Sequence, residues 1–134
     1  VEEARAGLGG IDLLVNNASG FGRSDDEAGW AACIQVDLMA SVRTCHHAIP
    51  HMPSGSAILH ITSIAGLKAS PRTAPYGAIK AAMMEYTKTQ AVVLAPRGIR
   101  VNNVAPGWTR TEMASPGQKW IRDHCSRPSI MSSS

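Results

Sequence analysis

Three short apolar runs, each closed by a turn of small or polar residues and separated by long helical stretches, constrain this chain more than any other feature. The runs are Ile11-Asp12-Leu13-Leu14-Val15, Ala57-Ile58-Leu59-His60-Ile61 and Ile99-Arg100-Val101-Asn102-Asn103-Val104. Each has the length of a strand, and the first two carry the apolar character of strands buried on both faces. Asn16-Asn17-Ala18-Ser19-Gly20, Thr62-Ser63 and Ala105-Pro106-Gly107 follow them as turns. Between the first two runs, Ser24 offers an N-cap and Asp25, Asp26 and Glu27 an acidic first turn. Apolar Trp30, Cys33, Ile34, Leu38, Val42, Cys45 and Ile49 then recur at helical spacing until Pro50 and Pro53. A further helix is expected over Pro75–Ala95, stopped by Pro96 and Gly98. Val1–Leu8 reads as the tail of a helix ended by Gly9-Gly10.

Strand, helix, strand, helix, strand with long crossovers predicts an α/β fold built on a parallel sheet. Right-handed crossovers progressing in one direction place both helices on one face of that sheet. The other face then needs a partner or more chain to cover it.

Composition removes several classes. At 134 residues, 44% hydrophobic and 17% charged, the chain is expected to form part or all of one globular domain. No apolar run approaches the roughly 18 residues of a membrane span. The opening Val1-Glu2-Glu3-Ala4-Arg5 lacks the pattern of a secretory signal. Three cysteines, Cys33, Cys45 and Cys125, make no disulfide framework, so a cytoplasmic location is expected. The thirteen Lys and Arg are dispersed and aromatics are only 4%, which argues against nucleic-acid binding despite the net charge of +3.

Tyr76 and Lys80 stand four apart on the expected helix and so share a face. A cation beside a phenol favours the phenolate, which suits Tyr76 to general acid–base work. Alone, such a pair is a weak signal and reads first as a surface pair. Ser63, thirteen positions before Tyr76, follows a strand's carboxyl end, where open α/β sheets bind their ligands. The Asn-Asn-Ala and Pro-Gly turns end the neighbouring strands at the same edge.

Asn16-Asn17-Ala18, Ser63, Tyr76-Gly77-Ala78-Ile79-Lys80, Gly98-Ile99-Arg100-Val101-Asn102, Ala105-Pro106-Gly107 and Thr111, in this order and spacing, resemble the short-chain dehydrogenase/reductase family. The 3-oxoacyl-carrier-protein-reductase-like members are the most similar. The resemblance covers about Val1–Met113 and implies a partial Rossmann-type doubly wound parallel sheet. It implies that residues 1–113 are the central and catalytic part of the domain, with 114–134 a loop or disordered tail. Tyr76 would pass the proton to or from the substrate oxygen, Lys80 would favour its phenolate and hold the nicotinamide ribose, and Ser63 would orient the substrate. Asn16 and Ala18 would line the adenosine side of NAD or NADP. Pro106, Gly107, Thr109 and Thr111 would surround the nicotinamide.

Departures from the family pattern matter. Asp37, in Val36-Asp37-Leu38, stands where the fourth catalytic member is usually Asn. The family uses that residue's backbone carbonyl to hold a water, which Asp retains. Its carboxylate either sits near Lys80 and weakens the lysine's effect on Tyr76, or serves only a local helix kink. Ser19 stands where Gly is common. The family's Gly-rich pyrophosphate turn and the residue that selects NAD or NADP are absent, so the chain is expected to be a fragment, cut at both ends. By itself it is expected neither to bind NAD(P) tightly nor to turn over substrate.

The remaining candidates have plainer readings. His47 and His51 form an i, i+4 pair, read as a metal pair or a solvated helix end. His60 is expected to be a satisfied core or edge histidine, and Cys33 and Cys45 to be core. Arg97 and Arg100 could meet an acidic carrier or be ordinary surface charge. The function expected is hydride transfer between NAD(P)(H) and a small-molecule carbonyl or secondary alcohol, by a homodimer or homotetramer. The rivals are a non-catalytic fragment and an epimerase or dehydratase relative using the same Tyr/Lys pair.

Overall fold

The computed structural model describes residues 1–107. Helix α1 (Glu2–Leu8) ends at Gly9, whose φ of 77° is the left-handed conformation of a helix C-cap. Strand β1 (Leu13–Asn16) leads into a helical stretch of three parts: α2 (Glu27–Ala32), a π-helical segment (Cys33–Met39) and α3 (Ala40–Ala48). Strand β2 (Ala57–Ile61), helix α4 (Ala74–Leu94) and strand β3 (Arg100–Val104) complete the order. The three strands form one parallel sheet in the order β1-β2-β3, with Leu14 opposite Ile58 and Ile58 opposite Val101. This is the expected α/β arrangement.

Local chemistry explains where the boundaries moved. Asp26, not Ser24, caps α2, because its carboxylate accepts the Gly29 N–H at 2.8 Å. The expected long helix contains a π segment. Gly29, Cys33, Asp37, Ser41 and Cys45 are all buried, one every fourth position. At about 3.6 residues per turn such a series drifts around an α-helix, and the wider π turn resets it. The buried line is thus partly polar, while Ile34 of the expected apolar stripe is exposed.

Cys45, Ala48, Met52, Ile58, Leu94, Ile99 and Val101 form the core between helices and sheet, with Leu14 packed against it. Strand alternation turns Leu14, Asn16, Ile58, His60 and Val101 towards the helices, and Leu13, Val15 and Val104 to the other side, where they are exposed. Among the described residues, no helix is long and apolar enough to cross a membrane. Thr109, Thr111, Cys125 and the expected tail at 114–134 lie outside the described residues.

Candidate active site

The carboxyl ends of the three strands carry the site. After β2, Ser63 caps a 3-10 turn (Ile64–Gly66), its hydroxyl accepting the Ala65 N–H at 3.1 Å. The turn is tied to the loop after β3, because Ile64 donates its N–H to the Pro106 carbonyl at 3.1 Å. Two glycines let this loop lie directly on α4. A Cβ at Gly66 would fall 2.7 Å from the Ala81 nitrogen, and one at Gly77 would fall 3.1 Å from the Ala65 oxygen. A side chain at Gly66 would push the Ser63 turn off the helix that bears Tyr76 and Lys80, and one at Gly77 would also crowd Ser70, whose Cβ would lie 2.9 Å away.

On that helix the four-residue spacing brings the Lys80 ammonium within 5.3 Å of the Tyr76 ring centroid. Tyr76 is half-buried and Lys80 is buried. The Lys80 Nζ donates to the Ile61 carbonyl at 3.1 Å and meets Asp37 Oδ1 at 2.9 Å. Its remaining neighbour is Met83 Sδ at 4.0 Å, a weak acceptor. Of the two readings of Asp37, the carboxylate does reach Lys80, and the residue also sits in a real helix irregularity. The Ser19 hydroxyl donates to Asp37 Oδ1 at 2.7 Å, and the Gly20 N–H to Oδ2 at 2.8 Å. The Asp37 backbone carbonyl accepts the Ser41 hydroxyl at 2.9 Å.

The turn after β1 divides its residues differently from the sequence reading. Asn16 is buried and its amide faces the helices, donating towards His60 Nδ1 at 3.4 Å and Cys45 Sγ at 3.3 Å. Its side chain therefore does not face the edge formed by the strand ends, and any contact there would come from its backbone. Ala18 and Gly107 are exposed at the edge, and Pro106 is half-buried beside the Ser63 turn. Phe21, which sequence reasoning missed, stacks on Tyr76 with ring centroids 6.3 Å apart and planes 9° apart. Its φ of 47° lies in the left-handed region that bulky side chains rarely adopt.

The other candidates settle elsewhere. His51 pairs with Glu2 Oε1 at 2.9 Å, and no group of three metal-ligating side chains occurs among the described residues. Arg97 donates to the carbonyls of Ile49 and Met52, so it holds the end of the α3 stretch. His60 is fully buried, with Nε2 2.9 Å from Gln90 Oε1, and burial pulls its imidazole below the usual range.

The fold agrees with that of known proteins. A family model described as enoyl-(acyl carrier protein) reductase matches residues 1–131. Trans-4-hydroxycyclohexanecarboxylate dehydrogenase of Sinomonas cyclohexanicum is 39% identical over 113 residues, covering 81% of this chain and 44% of that protein. The chloroplastic NADPH-dependent aldehyde reductase 1 of Arabidopsis thaliana is 34% identical over 130 residues, covering 92% of this chain and 45% of that protein. A crystal structure of a short-chain dehydrogenase from Burkholderia cenocepacia in complex with NADP superposes with a TM-score of 0.80 at 30% identity, covering 89% of this chain and 53% of that one. The chain belongs to the short-chain dehydrogenase/reductase family. It spans about half the length of the curated relatives it matches.

Proposed function

We propose that the protein containing this chain is an oxidoreductase that moves a hydride between NAD or NADP and a small-molecule carbonyl or secondary alcohol. The observation that carries the reading is the Lys80 ammonium 5.3 Å from the Tyr76 ring, with the Ser63 turn seated on the same helix. The residues at the edge suit a nicotinamide ribose. Lys80 keeps one proton directed only at a thioether, and the turns bearing Ala18, Pro106 and Gly107 lie beside it along the strand ends. Thr109 and Thr111 extend this assignment from the sequence. When bound, the dinucleotide supplies or accepts the hydride.

The chain's own residues handle position and the proton. Tyr76 gives its hydroxyl proton to the carbonyl oxygen during reduction and takes it back during oxidation. Lys80 holds positive charge beside the phenol, and the Ser63 hydroxyl orients the substrate oxygen. In the full-length protein, Tyr76→Phe should lower turnover by about 10²–10⁴-fold and leave cofactor affinity within a few-fold. Undiminished turnover would overturn the reading.

The assembly we infer is a homodimer or homotetramer. Val92 and Val93 on α4 are 75% and 65% exposed, and Ile34 and Val36 of the π segment are also exposed. Burying such surface between copies is favourable. Sedimentation of the full-length protein as a monomer at micromolar concentration would contradict this. A cytoplasmic location fits Cys33 and Cys45, which are free and buried.

A further inference from the structure

Lys80 and Asp37 form the one ion pair among the described residues with both side chains buried. Three partners hold the carboxylate: Oδ1 takes Lys80 and the Ser19 hydroxyl, and Oδ2 takes the Gly20 N–H. The contact therefore has a fixed geometry, joining the turn after β1 to the lysine on α4. An amide of the same shape would keep an acceptor for this turn but would carry no charge.

The charge is what matters for Tyr76. An ammonium and a carboxylate 2.9 Å apart act on a third group largely as a dipole, so the pull of the lysine on the Tyr76 proton is partly cancelled. The groups facing Lys80 leave no other source of compensation among the described residues. Tyr76 lies on its own helix, the Ile61 carbonyl comes from β2, and Cys33 comes from the same π segment as Asp37. Burial pushes the Cys33 thiol up, which keeps it neutral.

We propose that Asp37 is a positioning residue that tunes proton transfer: its carboxylate anchors the Lys80 ammonium to the Ser19–Gly20 turn and offsets part of the ammonium's pull on Tyr76, moving the working range of the reaction to higher pH. This rests on the oxidoreductase reading above and concerns the side chain of residue 37, not its backbone carbonyl. Asp37 acts through Lys80 and does not touch the substrate.

The test uses the full-length protein and two readouts. One is the pH profile of alcohol oxidation. The other needs no turnover: the ultraviolet absorbance of the Tyr76 phenolate, isolated by subtracting the matching Tyr76→Phe protein. Asp37→Asn should move both curves to lower pH by about one unit or more. Ser19→Ala removes a hydrogen bond from the carboxylate, leaves it leaning harder on Lys80, and should move both curves the opposite way by a few tenths of a unit. Ser19→Ala keeps the proposal testable if Asp37→Asn fails to fold. Unmoved curves in either folded variant, or shifts of the same sign in both, would overturn the role of Asp37. Full turnover in Tyr76→Phe would instead bring down the oxidoreductase reading. Loss of turnover in Tyr76→Phe with an unmoved Asp37→Asn profile would sink only the present proposal.

Discussion

Two buried polar clusters lie between the sheet and its helices, and they are built on opposite principles. One is ionic: Lys80 and Asp37, tied down by Ser19, Gly20 and the Ile61 carbonyl. The other is neutral and runs in one direction. The Asn16 amide donates to His60 Nδ1, which leaves the His60 Nε2–H to donate to Gln90 Oε1, and the Gln90 amide donates to the Tyr86 hydroxyl oxygen at 2.9 Å. Burial keeps the His60 imidazole and the Cys45 thiol uncharged. Both clusters bridge helix and sheet, yet only the one beside Tyr76 keeps charge. On the proposed function, charge is retained beside the residue assigned to proton transfer, and register is held by neutral bonds elsewhere. A buried ion pair is weak as a source of stability and strongly destabilising when half removed, whereas a neutral relay loses one or two bonds at a time.

The sharpest break of that contrast is Lys80→Met. It leaves Asp37 buried without a counter-ion and should cost about 3–5 kcal/mol in urea unfolding of the full-length protein, together with nearly all turnover. Adding Asp37→Leu should recover much of the stability and none of the activity. A cost of only about 0–1 kcal/mol for the single variant would place the pair with surface salt bridges and end the distinction between the clusters.

His60→Leu probes the neutral side and should have a smaller effect. It leaves the Asn16 amide with only the Cys45 sulfur and strands the Gln90 oxygen, a cost of about 1–3 kcal/mol. It should also change the pH dependence. Burial lowers the folded-state pKa of His60 below its ordinary 6.5, so between those two values the unfolded state binds more protons. The contribution of His60 is fully present above pH 6.5 and is lost as pH falls towards the folded value. Unfolding midpoints measured from neutral pH down to about pH 5 should fall less steeply in His60→Leu than in the wild type. An equal acid slope in both would show that His60 is not held neutral by its burial.

The sequence carried the strand–helix alternation, because strand ends are marked by turns and helices by spacing. β2 coincides with its expected range, and α4 differs by one residue at each end. The π segment escaped, since its buried line passes through Gly29, Asp37 and Ser41, and hydrophobicity does not mark it. The direction of the Asn16 side chain was within reach. Asn16 shares strand parity with Leu14, and a core-facing Leu14 implies a core-facing Asn16. Gly77 reads in sequence as a cost of about 1 kcal/mol to a helix, and the close approach of Ser70 and of the Ala65 carbonyl to it explains the glycine. Phe21 gave no periodic signal, because its partner Tyr76 lies far along the chain.

The smallest expected effect lies at the far end of the neutral relay, in Tyr86→Phe. Tyr86 is half-buried and accepts the last bond of the chain from Gln90. Losing that oxygen should cost only about 0.5–1.5 kcal/mol at neutral pH, since the Gln90–His60 bond survives. The alkaline side is more telling. Burial first, and the electrostatic influence of Cys45 second, push the Tyr86 hydroxyl up to about 12 from an ordinary 10.0. The folded state therefore binds more protons than the unfolded state between those values. This contribution is fully present below pH 10.0 and is lost as pH rises towards about 12. Phenylalanine cannot ionise, so the variant should begin slightly less stable and then lose stability more slowly as pH rises above 10.0. The two stability curves should converge or cross there. Parallel curves across that range would mean that Tyr86 ionises equally well folded and unfolded, and that the relay ends at Gln90 instead.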